Sequence, residues 1–134
     1  RRAYFSDTGI ANYISGLVTI PKDSIEGMLT ETFAYTELNR LYQEAAGRKR
    51  VKGNKPCFSI CGDYELDFVV VDSQDKRYGI DVKTGGNQSR SLKFYKEKGL
   101  VDQAIRALPG RGGHGEWGDT IPIYIVGTGF PYVE

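Results

Sequence analysis

The sequence predicts an α/β domain in which a mixed β-sheet is flanked by helices. Three observations carry that expectation. A helix-spaced apolar stripe runs through residues 26–46. From residue 57 the pattern switches to the period-two alternation of strands. A polar helical stretch then separates this run from further apolar segments. The expected order is helix, helix, three-strand meander, helix, then strands.

The 134 residues fit one domain spanning residues 1–134. A chain of this size can bury a core without disulfides as staples. Its two cysteines, Cys57 and Cys61, form neither a disulfide framework nor a complete metal set. Four apart on one extended run, they are too distant to bridge, so we expect reduced packing residues in a cytoplasmic protein. No stretch is long and apolar enough to predict a membrane span, and no signal peptide is visible. The formal net charge of +1 excludes a global basic field for nucleic acid. Two local basic runs remain, Arg48, Lys49, Arg50, Lys52 and Lys55, and Arg90, Lys93, Lys96 and Lys98. Each alone reads more simply as solubilising charge. The chain opens on Arg1-Arg2-Ala3-Tyr4-Phe5 without Met, which suggests a domain excised from a longer protein.

Taken in order, Ser6 or Asp7 caps a first short helix whose Ile10, Tyr13, Ile14 and Leu17 have helical spacing. Gly16 and Pro21 close it. The second helix is expected over 26–46, with Asp23 and Ser24 as caps and Gly47 as its stop. Strands follow at 57–61, 64–72 and 77–84, joined by the turn signals Gly62-Asp63 and 73–76. A loop at 85–88 leads to a helix over 90–98. Residues 101–108 read equally as a strand or a short helix. A Gly-rich loop, 109–119, precedes a strand over 121–126.

The chemistry concentrates on the second and third strands. Alternation puts Leu66, Phe68 and Val70 on one face and Glu65, Asp67 and Val69 on the other. On the partner strand Tyr78, Ile80 and Val82 are apolar, while Asp81 and Lys83 share the opposite face. A turn centred on Gln74 sets Asp67 directly across from Asp81. Opposed Cβ atoms lie about 4.5–5.5 Å apart, and two carboxylates at that spacing repel. A divalent cation held by hard oxygen ligands, Mg²⁺ or Mn²⁺, relieves the conflict. Lys83 could then orient a metal-bound water or stabilise developing phosphorane charge. The plain alternative is that strands place Asp and Lys on their wet faces.

Glu31 lies in the middle of the second helix's stripe of Met28, Ala34, Tyr35, Leu38, Leu41, Tyr42 and Ala45. A carboxylate there needs a partner, either a metal or Lys83, unless it escapes to solvent near the helix end. Both readings stay open. Glu37 falls on the polar side and reads as solvated.

A set of short motifs occurs in one order: Tyr4-Phe5-Ser6-Asp7-Thr8-Gly9-Ile10, Met28-Leu29-Thr30-Glu31-Thr32-Phe33, Glu65-Leu66-Asp67-Phe68-Val69, Ile80-Asp81-Val82-Lys83-Thr84-Gly85, Ser91-Leu92-Lys93 and Ile121-Pro122-Ile123-Tyr124. Together they resemble the C-terminal domain of unknown function attached to AAA+-type ATPases of bacteria and archaea. That family is placed in the PD-(D/E)xK superfamily, with the restriction-endonuclease-like fold. The resemblance implies that Glu31 is the acidic residue of the first core helix, Asp67 the first motif aspartate, and Asp81 with Lys83 the (D/E)xK pair. Leu66 stands where the named motif has Pro. The implied catalytic residues are Lys83, Asp67, Asp81 and Glu31, with Asp67, Asp81 and Glu31 as ligands for Mg²⁺ or Mn²⁺. The implied partners are DNA and an N-terminal ATPase module of the same chain. No Walker-type Gly-x-x-x-x-Gly-Lys-Ser/Thr occurs in the sequence.

Two functions follow as expectations. One is metal-dependent hydrolysis of DNA phosphodiesters. The other is a catalytically inactive nuclease-fold module that recognises a partner or nucleic acid and regulates the attached ATPase. The loop around His114 lacks the strand-before, helix-after context of a phosphate cradle, and Trp117 reads as a loop anchor.

Overall fold

The computed structural model describes residues 2–16, 20–43, 51–85 and 89–128. Among them a mixed six-stranded sheet is flanked by α-helices. Helix α1 is Thr8–Ser15, and the Asp7 carboxylate caps it by accepting the Ile10 N–H at 2.9 Å. Gly16 closes it, as its position predicted. Helix α2 is Lys22–Gln43, starting earlier than expected. Pro21 explains the difference: its carbonyl accepts from Ser24 and Ile25, so the first turn forms directly behind the proline. Asp23 and Ser24 therefore lie inside the first turn rather than capping it. The expected helix end at 44–46 and the basic residues 48–50 lie outside the described residues.

Strand β1 is Cys57–Cys61, β2 is Tyr64–Val71 and β3 is Arg77–Val82. The β1–β2 turn is Gly62-Asp63. Gly62 takes the positive φ of +59° that this position of a two-residue hairpin favours. Between β2 and β3, Asp72 Oδ1 accepts the N–H groups of Gln74 and Lys76 and holds the turn. Helix α3 is Arg90–Glu97, capped by Ser89. The segment read equally as strand or helix is strand β4, Gln103–Leu108, parallel to β3. Strands β5, Gly113–His114, and β6, Asp119–Pro122, complete the order β1-β2-β3-β4-β6-β5.

The last strand is a correction. Instead of running through residue 126 it ends at Pro122, and Ile123–Ile125 forms a 3₁₀ turn. Proline has no N–H for the ladder, so pairing stops where it stands. The Gly-rich loop also contributes the short β5, with His114 Nδ1 2.6 Å from Asp119 Oδ1. Trp117 is half-buried against the α3-side core, as a loop anchor should be, and carries the Arg106 guanidinium over its ring.

Two cores cover the two sheet faces. Toward α2, Ala34, Leu38, Leu41 and Tyr42 pack on Phe68, Val70, Tyr78, Ile80, Val82 and Ile105. Toward α3, Leu92 and Tyr95 pack on Leu66, Val101 and Ala104. Leu66 and Phe68 thus fall on opposite sides, against the simple alternation expected of them. The cause is a bulge. Cys57 pairs with Val69 and Ser59 with Leu66, so two steps of β1 span three of β2. The extra residue sits at Asp67–Phe68 and reverses the parity beyond it. The cysteines are free, as expected, but Cys57 is exposed rather than packed. Among the described residues no helix is long and apolar enough to cross a membrane.

Gly79 shows how tightly α3's side closes. A Cβ there would stand 2.7 Å from Leu66 Cδ1 and 3.0 Å from Val101 Cγ1. We expect Gly79→Ala to lower unfolding stability by about 1–3 kcal/mol through overpacking. Urea denaturation checks this, and an unchanged midpoint would contradict the packing described.

Candidate functional site

The β2–β3 register pairs Val71 with Arg77, Val70 with Tyr78, Val69 with Gly79 and Phe68 with Ile80. The next step along the same register is Asp67 opposite Asp81, centred on Gln74 as the sequence predicted. The ladder itself stops before that step. The Val82 N–H donates to Asp67 Oδ2 at 2.8 Å, so a side chain takes the place of a backbone acceptor. On its other edge β3 continues, with the Lys83 N–H donating to the Ala107 carbonyl. The strand ends therefore separate on one side only, and the bulge aims Asp67 into the gap.

Both aspartates are buried, Asp81 with 3% of its surface exposed and Asp67 with 8%. Asp81 Oδ1 is 3.0 Å from the Lys83 ammonium. Asp81 Oδ2 is buried without a hydrogen-bond partner. Burial above all, and then the neighbouring Asp67 carboxylate, push the Asp81 carboxyl up to about 6. The Ser89 hydroxyl and the Lys83 ammonium pull the other way. Ser89 serves two elements at once, since its Oγ also caps α3 by accepting the Leu92 N–H.

Glu31 belongs to the same neighbourhood. Burial raises its carboxyl above the usual range first, Asp67 and Asp81 add to this, and Arg2 and Lys83 oppose it. The side chain that pairs with it directly is Arg2, with Lys83 acting on it only at longer range. Arg2 Nη1 lies 3.5 Å from Glu31 Oε2 and 3.2 Å from Asp67 Oδ1, and Arg2 also pairs with Glu65. Glu37 is away from the site and half-buried, bound to Arg40 at 3.0 Å rather than simply solvated.

All four residues singled out from the sequence, Glu31, Asp67, Asp81 and Lys83, thus share one electrostatic environment. Sequence reasoning missed Arg2, Glu65 and Ser89. For Glu65 a signal existed, since it shares the parity of Asp67. Nothing in the pattern marks Arg2, whose approach is a tertiary contact between residues 65 apart.

The donor chemistry at Asp67 and Asp81 suits a hard divalent cation: two buried carboxylates, one with an orphaned oxygen, beside a lysine. Among the described residues no group of three His, Cys, Asp or Glu side chains is arranged to hold a metal ion. The Arg2 guanidinium stands where Glu31 and Asp67 would have to converge. Comparison with known proteins found no matching family model, no matching curated protein and no matching solved structure.

The raised Asp81 carboxyl predicts a sign for pH dependence. A carboxyl that holds its proton more firmly when folded costs nothing below the ordinary value of 3.8, and destabilises increasingly as pH rises toward about 6. Asp81→Asn should therefore raise the melting temperature at neutral pH, with the gain shrinking to nothing near pH 4. Thermal melts across that window check it, and a gain independent of pH would contradict the burial of a charged Asp81.

Proposed function

We propose that this chain is a nuclease-like domain of the PD-(D/E)xK superfamily, acting in Mg²⁺- or Mn²⁺-dependent hydrolysis of DNA phosphodiesters. The observation that carries the reading is the buried Asp67–Asp81 pair with Lys83 at its mouth. A sheet gains no stability from such a pair, so a ligand that needs two carboxylates gives it a purpose. The mixed sheet flanked by helices is compatible with the restriction-endonuclease-like fold that the motif resemblance implies.

In this reading Asp67 and Asp81 are the principal metal ligands, and Glu31 joins them when released from Arg2. The bound metal would supply Lewis-acid polarisation of the phosphate and a more acidic water. The protein's own contribution is positional. Val82 N–H fixes Asp67, Ser89 braces Asp81, and Lys83, nearly half exposed, holds its ammonium beside Asp81 at the solvent side, where an entering phosphate would meet it. Its ammonium offsets negative charge that builds there during attack. The basic residues Lys93, Lys96 and Lys98 are exposed and supply charge for the DNA backbone beyond the site. An ATPase module elsewhere in the same protein would deliver or remodel the substrate.

A second reading rests on Arg2. Because its guanidinium already pairs with Glu31, Glu65 and Asp67, the site could serve as a non-catalytic module that recognises a partner and regulates the ATPase.

Cleavage of single-stranded, duplex and branched DNA with Mg²⁺ or Mn²⁺ separates the two. The nuclease reading expects metal-dependent cleavage that falls about a hundredfold or more in Asp81→Ala, the scale of removing one group from a preorganised site. Equal inactivity of both proteins on every substrate would leave the non-catalytic module.

A further inference from the structure

Arg2 belongs to a segment, residues 2–5, without helix or strand pairing. What holds the segment is side-chain packing. Tyr4 stacks on Tyr35 at 4.6 Å with an interplanar angle of 15°, and its ring lies 5.7 Å from that of Phe68. Arg2 is attached differently, almost entirely by charge. Its Nη1 faces Asp67 and Glu31, the guanidinium pairs with Glu65, and its Cζ lies 5.4 Å over the Phe58 ring. One hydrogen bond, from Nη1 to Tyr4 Oη at 3.3 Å, ties it to its own segment.

Arg2 also stands between two cavities. One, of 630 Å³, is bordered by Asp67, Phe58 and Lys55. The other, of 470 Å³, is bordered by Glu31, Met28 and Ser24. Arg2 and Tyr4 line both. The guanidinium therefore has room to swing aside while Tyr4 stays stacked, with the exposed Ala3 between them.

The contacts are those of a resident cation. Three carboxylates from α2 and β2 converge on one positive group, and Asp81, the fourth, is left with Lys83. A guanidinium satisfies carboxylates through directed hydrogen bonds but cannot polarise a phosphate as a divalent ion does. Two cations cannot share this space, because each would face the other's charge at short range.

We propose that Arg2 is a displaceable internal cation that competes with a divalent metal ion for Glu31 and Asp67, so that the 2–5 segment controls metal entry to the site. The proposal rests on reading the site as metal-binding, and it adds a regulator to that reading. Anything that draws the segment away raises metal affinity, and seating it lowers metal affinity.

Calorimetric titration of Mn²⁺ into the wild type, Arg2→Ala and Arg2→Gln tests it. Gln keeps a hydrogen-bonding side chain without the charge, which guards against a variant that simply misfolds. We expect Mn²⁺ to bind the Arg2 variants about tenfold tighter (~1.4 kcal/mol). Adding Asp67→Asn to Arg2→Gln should remove the gain. In the wild type, Mg²⁺ should shift the Arg2 guanidinium NMR signals as the side chain leaves its carboxylates. Wild-type metal binding with no gain in either folded variant, or with unmoved Arg2 signals, overturns the plug and leaves the metal site standing. No metal binding by the wild type or the variants overturns both.

Discussion

The structure turns on two carboxylates that the sheet forces together. Asp67 and Asp81 occupy the step just past the last β2–β3 pair, and both are buried. Like charges at that spacing raise the free energy of the folded state unless a proton or cation intervenes. Much of the surrounding arrangement answers this conflict. The Val82 N–H and Arg2 take up the two oxygens of Asp67, while Lys83 and Ser89 attend Asp81. One Asp81 oxygen still has no partner.

Holding that pair requires a rigid frame on both faces. The α2-side core fixes β3 through Tyr78, Ile80 and Val82, and the α3-side core presses on Leu66 next to the bulge. The bulge is the decisive local device. It turns Leu66 and Phe68 toward opposite cores, and Asp67 sits between them with its carboxylate on the Val82 N–H. The crossover through α3 then brings Ser89 to Asp81 and sets β4 parallel to β3, giving Lys83 its backbone partner at Ala107. The site is thus assembled from the places where regular pairing ends.

The sequence made the regular parts legible. Hydrophobic period located α2 and β1 to β3, and turn residues fixed the β2–β3 register closely enough to put Asp67 across from Asp81. It was less informative where one residue changes the pattern. A bulge leaves no mark in alternation beyond a buried Leu66 that looks in phase with Phe68. Pro122 did carry a signal, and it ends β6 inside a run of apolar residues that otherwise reads as a strand. The partner of Glu31 was hidden for a different reason. An arginine in an irregular segment has no period, and its place beside Asp67 is set only by tertiary packing of Tyr4 on Tyr35.

The central claim is that Asp67 and Asp81 form one interacting, buried pair. The most direct measurement is the pH titration of the Asp81 carboxyl carbon by NMR, in the wild type and in Asp67→Asn. Asp81 should titrate above the usual carboxylate range in the wild type. It should move part of the way back when Asp67 loses its charge, with burial sustaining the remainder. An Asp81 that titrates like a solvated carboxylate, or that ignores the loss of Asp67, would contradict it.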